Sequence, residues 1–195
     1  MELLTNATVL GPTEARCRSP ELLLHPGGSS PVELILNGDT ATKTSDEVQF
    51  GFFGQPGAEP QFSSFFPLAA PIAGGTELTI LGSGLEDFGD VRVRFGRFGS
   101  HQGTAAPDGS NVTLSTPRVA GVGAEPLAFS PNGISFVKAS ALLPKFHLFD
   151  LTQVHVSALV PSGGPIAGET QVVVLGSGFA DYNVHCQFGG PGTPS

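Results

Sequence analysis

Three carboxylates gathered at Glu86, Asp87 and Asp90, with Asp181 as a later counterpart, are the side chains in this sequence best suited to hold a cation. Calcium takes about six to eight oxygen ligands, and acidic groups in a loop between strands can supply some of them. Only Asp87 and Asp181 recur at equivalent places, so this is a weak calcium set and a solvated turn is the plainer expectation. His25, His101, His147, His155 and His185 follow no metal-ligand spacing, and no resident metal or cofactor is expected. The runs Gly82-Ser83-Gly84 and Gly176-Ser177-Gly178 lack the pattern of a nucleophile elbow and are read as backbone bends. No catalytic residue is assigned, and the chain is expected not to be an enzyme.

Two further groups could carry covalent chemistry. The sequons Asn6-Ala7-Thr8 and Asn111-Val112-Thr113 would accept N-glycans at Asn6 and Asn111 in a secretory compartment. Cys17 and Cys186 are the two cysteines, too few for a small disulfide scaffold. A formal charge of −8, with nine Lys and Arg in total, would repel a phosphate backbone, so no nucleic-acid partner is expected. No stretch approaches the roughly 18 apolar residues of a membrane span, and no signal-peptide pattern opens the sequence. If the protein is secreted, its targeting signal is expected to lie outside this sequence.

The elements that must position these residues are strands. With 27 glycines and 17 prolines, and only 13% charged residues, long helices are excluded, whereas short strands joined by turns tolerate the breakers. Self-comparison organises the rest. Pro67, Pro71, Gly74, Thr76 and the Gly-Ser-Gly run at 82–84 answer Pro161, Pro165, Gly168, Thr170 and the Gly-Ser-Gly run at 176–178. Asp87-Phe88 answers Asp181-Tyr182, and Val91, Val93 and Phe95 alternate with polar residues as Val184, Cys186 and Phe188 do, predicting a half-buried strand in each copy. Cys17 with Ser19-Pro20 parallels Leu114 with Thr116-Pro117, and the segment 32–38 parallels 127–133, each running into a hairpin-forming Asn-Gly. Phe50 and Phe52-Phe53 resemble Phe146 and Leu148-Phe149.

A repeat of about 95 residues therefore runs through the chain, and a unit of that size with six or seven short strands fits an immunoglobulin-like sandwich. Expected boundaries are 1–60 for the closing part of one repeat, 61–152 for a complete repeat and 153–195 for the opening part of a further one. The fold class expected is all-β, with tandem immunoglobulin-like β-sandwiches. Phe52, Phe53, Phe62, Phe65 and Phe66 crowd the first junction, where aromatic rings could form an interdomain seam.

On these residues the chain resembles the IPT/TIG family of the extracellular tandem-repeat kind. The Pro-Ser-Gly-Gly-Pro-Ile-Ala-Gly opening at 161–168, the Gly-Ser-Gly-Phe run at 176–179 and the Val-x-Cys-x-Phe-Gly strand at 184–189 are similar to that family's opening half. Val-x-Leu-x-Thr-Pro at 112–117 and Cys-x-Ser-Pro at 17–20 are similar to its closing half. The resemblance implies ectodomain spacers, adhesive repeats, DNA-contacting domains or accessory modules of sugar-processing enzymes, so function must be argued from the site. It also implies that Cys186 and Cys17, aligned with Val93 and Leu114, occupy positions where family members form an intradomain disulfide. Each is expected to pair with a cysteine outside this chain copy, or with the other between adjacent copies.

The expected function is that of a non-catalytic extracellular structural or adhesive repeat protein, its partners being neighbouring copies or further repeats of the same protein. Two arrangements stay open: an excerpt of a longer tandem array, or a filament whose subunits complete each other's domains by donating strands. The rival reading is a carbohydrate-binding or accessory module of a larger surface enzyme or receptor, with a cell-surface protein or glycan as partner. It calls for exposed aromatic platforms, and the sequence has no Trp and a single Tyr.

Overall fold

The structure, a computed structural model, describes residues 3–21, 28–54 and 59–189. Strands and three short 3-10 turns make up the regular structure of the described residues, and the chain divides into two compact units, Met1–Gly57 and Ala58–Ser195. No helix among the described residues is long and apolar enough to cross a membrane.

The first unit is built from two hairpins. Strands β1 (Ala7–Gly11) and β2 (Glu14–Cys17) pair antiparallel, as do β3 (Gly28–Val32) and β4 (Val48–Phe52). Between β3 and β4 the Glu33 carboxylate accepts hydrogen bonds from the Thr44 hydroxyl and from the Glu47 (2.7 Å) and Asp46 (3.3 Å) N–H groups. These bonds, the Thr44 hydroxyl first, hold Glu33 below the ordinary glutamate range.

The second unit contains the sandwich. Its strands are β5 (Gln61–Phe66), β6 (Ala69–Pro71), β7 (Glu77–Ser83), β8 (Arg92–Phe95), β9 (Ser100–Gln102), β10 (Thr104–Ala105), β11 (Asn111–Ser115), β12 (Gly123–Glu125), β13 (Leu127–Ser130), β14 (Val137–Lys138) and β15 (Phe146–Phe149). One sheet has the order β10-β11-β7-β5. The other strands form β14-β13-β8-β9 and β12-β15-β6. The chain changes sheets twice at a proline: β5 passes to β6 through the cis Phe66-Pro67 bond, and β12 passes to β13 across Pro126. Beyond β15, a 3-10 turn at Leu151–Gln153 leads into β16 (His155–Val160) and β17 (Val173–Ser177), an antiparallel hairpin.

Alternation explains the core. Leu78 and Ile80 of β7, Val112 and Leu114 of β11 and Val93 and Phe95 of β8 are buried, while their neighbours along each strand are more exposed; β13, between β8 and β14, is buried throughout. Phe146 lies at the centre, its ring 5.4 Å from Phe95 and 6.1 Å from Phe65, in edge-on and tilted arrangements favoured by the ring quadrupoles. Gly74, at φ +77°, sits where a Cβ would come within 2.7 Å of the Arg118 nitrogen, so the turn before β7 closes only on glycine.

Two expectations are corrected here. The segment 184–188 forms no strand, and Val184 and Phe188 are exposed. In the complete repeat the matching β8 is held between β13 and β9, and nothing described after residue 153 plays the part of β13. The Asn-Gly pairs do not make two-residue hairpins. Asn132 instead organises a longer loop between β13 and β14, its Oδ1 accepting from Ser135 N (2.9 Å) and Ile134 N (3.1 Å), with Gly133 at φ +73°. The expected boundary near residue 152 falls in the 3-10 turn at Leu151–Gln153, and the β16–β17 hairpin beyond it clusters with the sandwich before it.

Candidate functional site

The proposed calcium carboxylates do not converge. Asp87 Oδ1 accepts from the Gly89 N–H (2.7 Å) in a tight turn, and Asp90 Oδ2 is bonded to Arg92 Nε at 2.8 Å. Glu86 and Asp181 bring no further ligand to either, and among the described residues no three His, Cys, Asp or Glu side chains gather. Asp87 and Asp90 are each engaged in local bonding within the turn.

The phenylalanines around the first junction take different places within their own units. β5 carries a bulge between Phe62 and Ser64, and the extra residue puts Phe62 and Phe65 on the same face despite their odd spacing. That face is the core: Phe65 is 4% exposed, and Phe62 packs against the same cluster. Phe66 points the other way and is 56% exposed. In the first unit Phe52 meets Phe50 edge-on at 4.9 Å, and Phe53 is half-buried.

An aromatic contact not foreseen joins the final hairpin to the sandwich. Tyr182, just past β17, lies over His147 at 4.5 Å and stacks on Phe149 at 6.3 Å, both on β15. The link between them is capped: Asp150 Oδ1 accepts from Thr152 N (2.9 Å) and Thr152 Oγ1 (2.7 Å), which starts the 3-10 turn. The Thr152 hydroxyl, and then its N–H, hold the Asp150 carboxyl below the ordinary aspartate range. A shallow, mostly apolar cleft of about 480 Å³ lies along this junction, lined among others by Val122, Leu148, Val154 and Tyr182. Its titratable side chains are engaged, His147 in stacking and Asp150 in capping, so the arrangement suits holding a hairpin in place rather than bond chemistry. The signal available in the sequence was the pairing of Asp181-Tyr182 with Asp87-Phe88.

The β16–β17 hairpin repeats β5–β7 closely. Phe62 opposes Gly82 and Phe65 opposes Ile80, and likewise Val156 opposes Gly176 and Leu159 opposes Val174, with a bulge at the same step. Gly82 and Gly176 each sit where a Cβ would come within 2.0 Å of the facing carbonyl, Gln61 O and His155 O respectively. Both hairpins end in a cis X-Pro bond, Phe66-Pro67 and Val160-Pro161. Their surroundings differ. Leu159 and Val156 are 43% and 63% exposed where Phe65 and Phe62 pack into the core, and Val172 and Val174 are half-buried where Leu78 and Ile80 are fully buried.

Cys17 and Cys186 are free thiols, both exposed, whereas their counterparts Leu114 and Val93 are buried in the complete sandwich. Asn6 is exposed ahead of β1. Asn111 opens β11 half-buried, its Nδ2 donating to Ser110 Oγ at 3.1 Å.

Among solved structures, the chain is similar to a Bacteroides thetaiotaomicron protein of unknown function, at 18% identity and a TM-score of 0.38, over 50% of this chain and 24% of that one. It is also similar to the full extracellular region of plexin A4, at 20% identity and a TM-score of 0.42, over 60% of this chain and 12% of that one. The chain thus spans about a quarter and an eighth of those two proteins. The IPT/TIG domain model matches residues 60–117 and 155–195, together more than half of the chain, and with the sandwich and its repeated hairpin in view the protein belongs to the IPT/TIG family of non-catalytic immunoglobulin-like modules.

Proposed function

We propose that this protein is a structural or adhesive element of an extracellular array, in which neighbouring repeats or copies complete its part-repeats head to tail. One observation carries the reading: the β16–β17 hairpin has the register, bulge and glycine contacts of β5–β7, yet Val156 and Leu159, the counterparts of the core-facing Phe62 and Phe65, are open to solvent. Burying apolar area is the main favourable term in association, and an open sandwich face with a free strand edge is a ready site for it. Exposed Asn6 in its sequon supports an extracellular setting. A carbohydrate platform is less well supported, since the ring of Tyr182 is taken up by His147 and Phe149.

The test is light scattering and negative-stain electron microscopy of the purified chain over a range of concentrations. Linear strings of copies that lengthen with concentration are expected. A chain that stays monomeric, with the hairpin face open, would overturn self-assembly.

A further inference from the structure

Resting on the extracellular reading, we infer that Asn111 carries an N-glycan whose first sugar rings lie across the outer face of the β10-β11-β7-β5 sheet and cover Leu81 and Phe66. Parity fixes the face. Val112 and Leu114 are buried in the core, so Asn111 and Thr113, the amide and the hydroxyl of the sequon, both stand on the other side of β11. Asn111 pairs with Leu81 of β7, and Thr113 pairs with Thr79, which pairs in turn with Phe66 of β5. Directly paired residues share a face, so all five side chains are on the outer one.

Two apolar side chains stand open there. Leu81 is 37% exposed and Phe66 56% exposed, and they are the exposed large apolar residues of these four strands. An apolar patch beside polar groups marks a surface made for contact. The four strands contain one charged residue, Glu77, which lies beyond the Thr79–Phe66 pair on the side away from Asn111. An ionic partner finds little to hold. An uncharged sugar ring, with an apolar C–H face and a rim of hydroxyls, matches an apolar side chain set beside the Thr79 and Thr113 hydroxyls.

The reach agrees with this occupant. Leu81 is the direct neighbour of Asn111, about 5 Å away between Cβ atoms. Phe66 is two strands across and two residues along, which at about 4.8 Å per strand and 3.4 Å per residue is about 12 Å. The asparagine side chain and two linked sugar rings span that distance. Because β11 is flanked on both sides, by β10 and β7, attachment belongs to the chain before the sheet closes. The donor is a lipid-diphosphate-linked oligosaccharide. The bond from Asn111 Nδ2 to C1 of the first sugar forms, the bond from C1 to the phosphate oxygen breaks, one amide proton goes to solvent and the lipid diphosphate leaves. Nδ2 keeps its second hydrogen, enough for the 3.1 Å bond to Ser110 Oγ.

The whole chain, secreted from cultured animal cells behind a supplied leader, is compared with Asn111→Gln. Enzymatic release of N-glycans in heavy-oxygen water converts a glycosylated Asn111 to labelled aspartate, which mass spectrometry reads. Hydroxyl-radical footprinting of the two intact proteins reads exposure one side chain at a time. Oxidation of Phe66 and Leu81 is expected to fall by about half or more in the glycosylated chain, while Ile134, 83% exposed in the loop after β13, stays unchanged. Where Asn111→Gln is poorly secreted, Thr113→Val removes the sequon hydroxyl and supplies the unglycosylated reference. Unmodified Asn111 in the secreted chain overturns the inference, and a modified Asn6 in the same molecules leaves the extracellular reading standing. Modified Asn111 with equal oxidation of Phe66 and Leu81 in the two forms overturns the covering. Protein purified from its natural source with neither asparagine modified removes the extracellular reading and the inference together.

Discussion

Phe146 and Phe50 hold the same place in two copies of one repeat, and truncating each should have very different costs. Phe146 opposes Glu125 across β12–β15, as Phe50 opposes Ser30 across β3–β4. Phe146 is fully buried and touches the rings of Phe95 and Phe65. Phe146→Ala removes a fully buried aromatic side chain and leaves a cavity that a sandwich closed on both faces fills poorly, at a cost of about 4 kcal/mol. For a repeat of this size, with total stability of about 5–15 kcal/mol, that lowers the midpoint of thermal unfolding by about 16–30 °C. Phe50 is 43% exposed and meets the edge of Phe52, so Phe50→Ala should cost under about 1.5 kcal/mol in the dilute chain. Scanning calorimetry of both variants at low concentration measures the two shifts. Equal costs would refute the claim that the first unit leaves its half of a core open. A cost at Phe50 that grows with protein concentration is expected as neighbouring copies cover it.

Gly82→Ala drives a Cβ into Gln61 O and should destabilise the sandwich by at least about 2 kcal/mol in urea unfolding. Gly176→Ala makes the same clash with His155 O and should leave the main transition in place while increasing hydrogen exchange in β16 and β17. Tyr182→Ala removes the stack on His147 and Phe149, worth about 1 kcal/mol, and should broaden the distribution of hairpin orientations seen by small-angle scattering. The Asp150 carboxyl should titrate below the ordinary 3.8. Because its folded value is depressed, its contribution is complete above 3.8 and disappears as pH falls through the lowered value. Carbon-detected NMR titration checks this, and Thr152→Val should bring the midpoint back towards 3.8.

Where structure depends on period and local chemistry, the sequence was informative. The alternation of Leu78 with Ile80 and of Val112 with Leu114 identified two core strands, and the recurrence of Pro-rich openings and Gly-Ser-Gly runs identified the repeat. The failures share a different cause, dependence on partners distant in the chain. Val184, Cys186 and Phe188 alternate as well as Val91, Val93 and Phe95 do, yet a strand is made by its neighbours, and among the described residues only the earlier copy has them. Which of the phenylalanines at 62, 65 and 66 face the core was not legible, because a bulge, invisible in the residue pattern, changes the parity of β5. Tyr182 was legible only as the partner of Phe88 in an alignment, since stacking on His147 depends on how the final hairpin folds back onto β15.

The junction between β15 and β16 has a mechanical consequence. It comprises residues 150–154, of which three are wound into the Asp150-capped turn. Fully stretched, five residues reach only about 18 Å, so there is little slack to draw out under tension. A pull along the chain would pass almost at once from one repeat's last strand to the next repeat's first, loading the strand ladders in shear instead of being absorbed in a loose tether. A protein joined this way behaves under load as a cable of low extensibility, whose first yielding step is release of the capped turn and the Tyr182 stack.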